Sequence, residues 1–398
     1  MTFNPAQPSD SADRAAVESG AENHRTEKRV EPLELFFDLV FVFAITQVTA
    51  RLADHATWAG LGSGLLILSS IWWAWGAYAW LTNEVDGSRN GVRLAMFGAM
   101  AGMLIAALAI PRAFEDDAGI FAGAYLVVRV LHIALFAAGT DNVDVRTATR
   151  ALAPTALLAP VILLIAAQLD GWVQVALWVL ALGIDYIGGG LRGIEGWRLS
   201  PSYFAERHGL IIIIALGESI FAIGVGVAGA ALNLETITAA VLGIVIVAVL
   251  WGTYFDRSPG RVEANLHALH GRARNTTARD AYSFLHLPMA AGIVLLALGI
   301  KKTIEHVEEP LKVVPSVALC GGVALYFLAQ IAYRRRCQDP PGPPRLVAAL
   351  ACAALTPLVT AVPALAGLAA LASICAALHV YELIRPQPAL PTLTSRAP

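Results

Sequence analysis

Charge is scarce in this chain. Only 15% of its 398 residues are Asp, Glu, Lys or Arg, while 57% are hydrophobic, and soluble domains carry nearer a quarter charged residues. With 28 basic and 30 acidic side chains, it cannot clothe a soluble protein of this length in a charged shell. The net charge of -2 leaves no basic footprint for a phosphate backbone, which excludes a nucleic-acid partner. Cysteine is scarce too. Cys320, Cys337, Cys352 and Cys375 form no CxxC pair, and three lie in apolar stretches where cysteine packs as a small hydrophobe. Disulfide scaffolds and structural zinc are thereby set aside. No GxxxxGK[ST] loop is present, so the chain carries no nucleotide motor of its own. Neither a metal nor a cofactor is expected. Residues 1–30 contain no apolar run, so no cleavable signal peptide is expected, and they read as a disordered cytoplasmic tail. Residues 386–398 read as a second short tail.

What the chain has in abundance is long apolar runs, with a mean hydropathy of +0.63. About 20 apolar residues make a helix that crosses hydrocarbon. Such runs fall near 32–53, 58–81, 92–111, 119–139, 150–169, 172–191, 208–231, 235–256, 281–301, 312–333, 346–362 and 366–384. The expectation is an all-α polytopic membrane protein of about 12 transmembrane helices filling residues 31–385. The last two runs have the alternative of a single re-entrant hairpin. Basic residues test the count, because cytoplasmic loops retain them. The leading tail and the even-numbered loops hold 22 of the 28. The odd-numbered loops hold Arg51, Arg112, Lys301, Lys302 and Lys312, and Arg129 remains inside a span. Both termini are therefore predicted to be cytoplasmic. The longest loop, 257–280, reads as a basic surface segment against anionic membrane lipids.

A charge in hydrocarbon costs at least ~2.5–3.5 kcal/mol, so each one should face a partner, a cavity or a pathway. Helical rise places Glu218 and Arg129 at similar depth, roughly 15 Å into their spans, so two opposite charges are predicted near the midplane, with Arg129 either the counter-ion of Glu218 or an anchor for an anionic substrate. His132 lies one turn from Arg129, and for it core packing is the simpler reading. Asp38 and Asp185 are expected ~9 Å inside the cytoplasmic boundary. Glu34 stacks on Asp38 by its i, i+4 spacing. Such carboxylates can carry protons, although an ion pair that fixes helix register and a Glu34 that snorkels to the interface are the plainer alternatives.

Three motifs read as decoys. Gly224 to Gly229 spells GxGxxG but follows a helix rather than a strand, so helix packing is the expected use of its glycines. Glu263, His267 and His270 supply at most half a metal site. Asn275-Thr276-Thr277 spells a glycosylation site on the cytoplasmic side.

Two segments carry a family likeness. Glu31-Pro32-Leu33-Glu34-Leu35-Phe36-Phe37-Asp38-Leu39-Val40-Phe41-Val42-Phe43 resembles the opening signature of the bacterial low-temperature-requirement A (LtrA) family. Glu206-Arg207-His208-Gly209-Leu210 through Ala215-Leu216-Gly217-Glu218-Ser219 resembles its second signature. The resemblance implies a polytopic protein of the bacterial inner membrane, linked by name to growth in the cold, and implies no particular chemistry. It marks Glu34, Asp38, Glu206, Arg207, His208 and Glu218 as motif positions, whereas Arg129, His132 and Asp185 come from the physical reading alone. The signatures open the first and seventh spans, which suggests two parallel six-helix halves, 31–200 and 201–385, as in some secondary transporters. The first functional reading is a proton-coupled secondary transporter or permease for an unknown small solute or ion. The alternatives are a membrane-embedded enzyme on a lipid or isoprenoid substrate, with Glu206, Arg207 and His208 at the interface, and a non-catalytic component supporting growth in the cold. Oligomeric state stays open.

Overall fold

The computed structural model describes residues 29–191, 197, 199–228, 231–256, 259–340 and 342–385. The tails beyond them, Gly229 of the GxGxxG spelling, and Arg192, Arg198 and Arg257 of the charge count lie outside the described residues. Along the rest the chain is helical: α1 Pro32–Asp54, α2 Trp58–Glu84, α3 Asn90–Ala109, α4 Ala118–Gly139, α5 Val143–Ala166, α6 Gly171–Leu191 and α7 Pro201–Ala228. Then follow α8 Leu234–Phe255, two short helices α9 Pro259–Ala268 and α10 Gly271–Ala278, a π-helical turn Arg279–Phe284, α11 His286–Glu305, α12 Val313–Arg336, α13 Pro343–Val359 and α14 Ala364–Ile384. The lone β contact among the described residues is a bridge between Pro310 and Pro363.

A helix satisfies its own backbone polar groups, which a chain in hydrocarbon must do. Side chains close several of the exposed first turns. Thr57 accepts from the Gly60 amide at 3.1 Å, and Asn233 from that of Thr236 at 2.8 Å. Among the described residues eleven helical stretches are long and apolar enough to cross a membrane, and Pro343–Val359 is a shorter apolar helix of 17 residues. Their outward faces are apolar as well: Leu39, Leu94, Leu108, Ile187 and Val241 are each more than half exposed. Such a surface is untenable in water and suits lipid. The protein is a multi-pass membrane protein.

Packing follows a recurring set of neighbours. In the first part of the chain α1 packs on α2 and α3, α3 on α4, α4 on α5, α5 on α6, and α2 also reaches α6. In the second part α7 packs on α8 and α11, α11 on α12, α12 on α13, α13 on α14, and α8 also reaches α14. One buried apolar cluster is built mostly from α1–α6 and another mostly from α7–α14. The two parts touch where α1 and α2 meet α7 and α11.

Four basic residues counted with the loops turn out to be buried, Arg51, Arg207, Arg334 and Arg345. Arg51 donates to the Pro111 carbonyl and stands 3.9 Å from Glu115. Arg345, at the start of α13, is 1% exposed and donates to Glu382 at 2.6 and 3.0 Å, to Gln330 and to the Thr253 carbonyl. Hydropathy sees a charge at a helix end and cannot see the acceptors that neighbouring helices bring to it.

Candidate functional site

Pro32 and Pro201 are the first residues of α1 and α7, a position where proline's missing N–H loses nothing. Counting from them, Glu34 matches Tyr203, Asp38 matches Arg207, and Thr49 matches Glu218. The side chains at these matched positions meet. The Tyr203 hydroxyl donates to Glu34 Oε2 at 2.8 Å, and Arg207 Nη2 stands 3.0 Å from Asp38 Oδ1. Glu218 accepts from Thr46, one turn before Thr49, at 2.6 Å. The two signature helices thus lie parallel and in register, equal position against equal position, as in a parallel coiled coil.

At the opening end of this seam sits a buried ionic cluster. Arg207 is fully buried between Asp38 and Glu34, 3.7 Å from the latter. Trp75 Nε1 donates to Asp38 Oδ1 at 2.8 Å, and Thr82 Oγ1 lies 2.6 Å from the Tyr203 hydroxyl. Asp38 Oδ2 and His208 Nε2 are buried without a hydrogen-bond partner. His208 Nδ1 is tied to the Phe204 carbonyl at 2.9 Å, and its ring meets the edges of Trp75 and His286 at 4.9 and 5.2 Å between centroids. Chemically, the cluster is a carboxylate pair around one guanidinium, with a carboxylate oxygen and an imidazole nitrogen still open to a proton or a water. Buried polar atoms without partners are rare enough to require an explanation of this kind.

A second buried pair lies in the first part of the chain. Arg129 Nη2 donates to Asp185 Oδ1 at 2.6 Å, and its Nε to the Ala156 carbonyl at 3.4 Å. Both side chains are 2% exposed, and the Tyr125 hydroxyl stands 3.4 Å from Asp185. The Arg129–Glu218 pair, one of the two roles expected for Arg129, is therefore corrected: Arg129 pairs with Asp185, and Glu218 with Thr46 of α1. Depth alone suggested the pairing, but an arginine side chain reaches along its helix to a partner at another depth. Glu34 is buried rather than snorkelling. Glu206, next to Arg207, is exposed and accepts a 3.4 Å contact from the Val30 amide, so the structure does not bring it to the cluster. His267 contacts Glu263 at 3.7 Å and Ser202 at 3.2 Å, and no three metal-type ligands converge among the described residues.

Beside Arg129 is a pocket of about 80 Å³ between α2, α4, α6 and the π-helical turn, lined by Trp72, Trp73, Trp80, Trp197, His132 and Arg129 among others. The π-helical turn presents Ser283 to it: Trp72 Nε1 donates to the Ser283 carbonyl at 2.8 Å and Trp80 Nε1 to its hydroxyl at 2.9 Å. Asn275, the glycosylation spelling, is buried and donates to the Trp197 carbonyl at 3.0 Å, so it serves to place that indole. Hydropathy and charge position could not find Trp75, Tyr203, Thr46 or Asn275, since none is charged. Tyr203 alone had a signal, its match to Glu34 when the two proline-led helices are aligned.

Residues 29–380 match the family described as bacterial low temperature requirement A protein (LtrA). An uncharacterised protein of Rhizobium meliloti (strain 1021) is 30% identical over 318 residues, which cover 76% of each chain.

Proposed function

The chain belongs to the bacterial low temperature requirement A family, and from that premise we propose that it is a proton-coupled secondary transporter for a small solute, built as two parallel six-helix halves. The observation that carries this reading is the meeting of the two signature segments in a buried ionic cluster, Glu34 and Asp38 of α1 with Arg207 of α7. Ionisable groups inside spans are costly and mark substrate or ion pathways. Transporters made of parallel repeats place their sites at the interface between the repeats, and here α1 and α7 form that interface. The repeated order of helix neighbours and the matched contacts along the seam support the two halves, 31–200 and 201–385. In this mechanism Asp38 takes up a proton from the side where α1 and α7 begin, weakens its hold on Arg207, and lets the halves rock about the seam. Glu218, deeper on α7 and held by Thr46, takes up the next step. The excess of basic residues in the tail and even loops supports cytoplasmic termini, and the family supports the bacterial inner membrane.

The test is flux in proteoliposomes containing the full chain. A panel of radiolabelled small anions, amino acids and sugars is screened for uptake driven by an imposed proton gradient. Asp38→Asn and Glu218→Gln should each abolish gradient-driven uptake of the active solute while leaving the protein folded. Undiminished uptake in both variants removes the carboxylates from the mechanism, and no gradient-driven uptake of any solute sinks the transport reading.

A further inference from the structure

The two carboxyls of the α1–α7 cluster differ in what their partners can do when a proton arrives. Asp38 Oδ1 faces the Trp75 indole N–H at 2.8 Å and Arg207 Nη2 at 3.0 Å. An indole and a guanidinium only donate, so neither can accept a hydrogen from a neutral Asp38. Asp38 Oδ2 is buried with no hydrogen-bond partner among the described residues, so a proton there meets no acceptor either. These contacts suit the ionised form alone. Glu34 is placed differently. Its Oε2 meets the Tyr203 hydroxyl at 2.8 Å. Thr82 Oγ1 lies 2.6 Å from that hydroxyl and 2.8 Å from the carbonyl of Tyr78, one turn back on α2. A hydroxyl both donates and accepts.

We infer that Glu34 is the carboxyl of this cluster that holds a proton, and that Tyr203 and Thr82 form a reversible hydroxyl chain keeping it hydrogen-bonded in both states. With Glu34 ionised, Thr82 donates to Tyr203 and Tyr203 to Glu34. With Glu34 neutral, Glu34 donates to Tyr203, Tyr203 to Thr82, and Thr82 to the Tyr78 carbonyl. Uptake adds one proton from water and turns two hydroxyls round, and no other bond changes. The Tyr78 carbonyl makes the reversal possible, because it takes the hydrogen that Thr82 no longer gives to Tyr203. Glu34, Thr82 and Tyr203 are each at most 6% exposed, so bulk water would not rescue a hydroxyl left without a partner there. Yet Glu34 is the third residue of α1, ~3 Å of helical rise from its start, within reach of a proton from that side. Of the charged and titratable groups on the elements around it, Arg207 stands 3.7 Å away and closer to Asp38, and Glu206 meets the Val30 amide. Arg93 of α3 donates to the Gly87 carbonyl, and His286 of α11 is tied to Tyr254 and the Ala281 carbonyl. The role of this proton in coupling rests on the transport reading above: Glu34 holds it, and Asp38, one turn deeper, receives it in passing. The proton site itself does not need that reading.

Infrared difference spectroscopy reads the site without solute or gradient. The full chain in nanodiscs of zwitterionic lipid is titrated from about pH 8 to about pH 4, across the ordinary carboxyl range. The signal is the high-frequency carbonyl stretch of a buried neutral carboxylic acid. The wild-type chain should show a titrating band that Glu34→Gln lacks, with circular dichroism unchanged. Thr82→Val keeps the side-chain shape and gives the decisive sign. Without Oγ1, the Tyr203 hydrogen keeps Glu34 as its acceptor and cannot turn round, which favours the ionised carboxyl. The band should then need about tenfold more acid, the usual effect of one buried hydrogen bond left unmade. A Thr82 that served only as a fixed donor would strengthen the bond from Tyr203 to Glu34, so its loss would move the titration the other way. Identical titrations of wild type and Glu34→Gln, or a Thr82→Val band that needs the same or less acid, would each overturn the inference. The two readings fail separately. A Glu34 band without proton-driven uptake of any solute leaves the proton site and removes the transporter, whereas uptake without a Glu34 band does the reverse.

Discussion

Asp38 and Arg207 occupy equivalent places on two helices that run side by side, and the protein uses the equivalence by giving them opposite charge. Much of this was legible from single residues. The rarity of charge in apolar runs singled out Glu34, Asp38, Arg129, Asp185 and Glu218, and all five are buried. Their partners were not legible, because helical rise gives depth along one helix and says nothing about which neighbour that face meets. Arg129 was thus predicted opposite Glu218, and it binds Asp185. The cysteines show the converse case, in which composition sufficed. All four are free and buried. Cys337 lies just past the end of α12, where burial pushes its thiol up to about 12. A raised thiol value favours the protonated form, so the reactive thiolate is absent below about that pH. A water-soluble maleimide should therefore fail to label Cys337 across pH 7–9 in the folded protein and label it after denaturation. Rapid labelling at pH 7 of the folded chain would show that this end of α12 is open to water.

Among the elements, α11 and α12 approach each other closely, and glycine is the reason. A Cβ built on Gly322 would stand 2.6 Å from the Gly292 carbonyl oxygen and 2.8 Å from the Leu296 amide nitrogen, both backbone atoms that cannot move alone. One built on Gly321 meets nothing nearer than a Val317 methyl at 3.7 Å. Two adjacent glycines on one helix thus face different environments, since small residues at a helix interface let backbones touch and those facing away are dispensable. Gly322→Ala should lower stability by ~1–3 kcal/mol, the range for overpacking a filled interior, while Gly321→Ala should be neutral or slightly stabilising, alanine being the better helix former. Thermal unfolding in detergent compares the two, and equal midpoints would show that the contact relaxes freely. Hydropathy placed both helices within a few residues. It could not tell the two glycines apart, nor foresee the π-helical turn at Arg279–Phe284 that presents Ser283 to Trp72 and Trp80, because that turn is imposed by packing rather than by local propensity.

At the scale of the whole molecule, the question left by the 17-residue α13 is whether it crosses. The contacts at its far end bear on this. The turn after α13 meets the loop between α11 and α12: Pro363 bridges Pro310, the Ala364 amide donates to the Glu309 carbonyl at 2.9 Å, and the Leu365 amide to that of Val307 at 3.1 Å. α12 leaves that same loop and runs 24 residues to Arg336 at the opposite end of the bundle. α13 begins six residues beyond Cys337 and returns to the loop, so it retraces the depth of α12 rather than dipping and turning back. At ~1.5 Å per residue its helix alone covers about 25 Å, and the residues flanking it supply the rest. A helix somewhat shorter than the hydrocarbon is accommodated by local thinning at modest cost. Were α13 to cross, it would join the eleven longer stretches to make an even number, and both termini would fall on one side, as the basic residues predict. Fluorescent-protein and alkaline-phosphatase fusions should report both ends in the cytoplasm, and fusions at Val307 and Pro363 should both report the outside. If Pro363 instead reports the cytoplasm, α13 does not cross and the second half has five spans. The parallel repeat, and with it the reading of α1 and α7 as the seam of a two-part carrier, would then have to be abandoned.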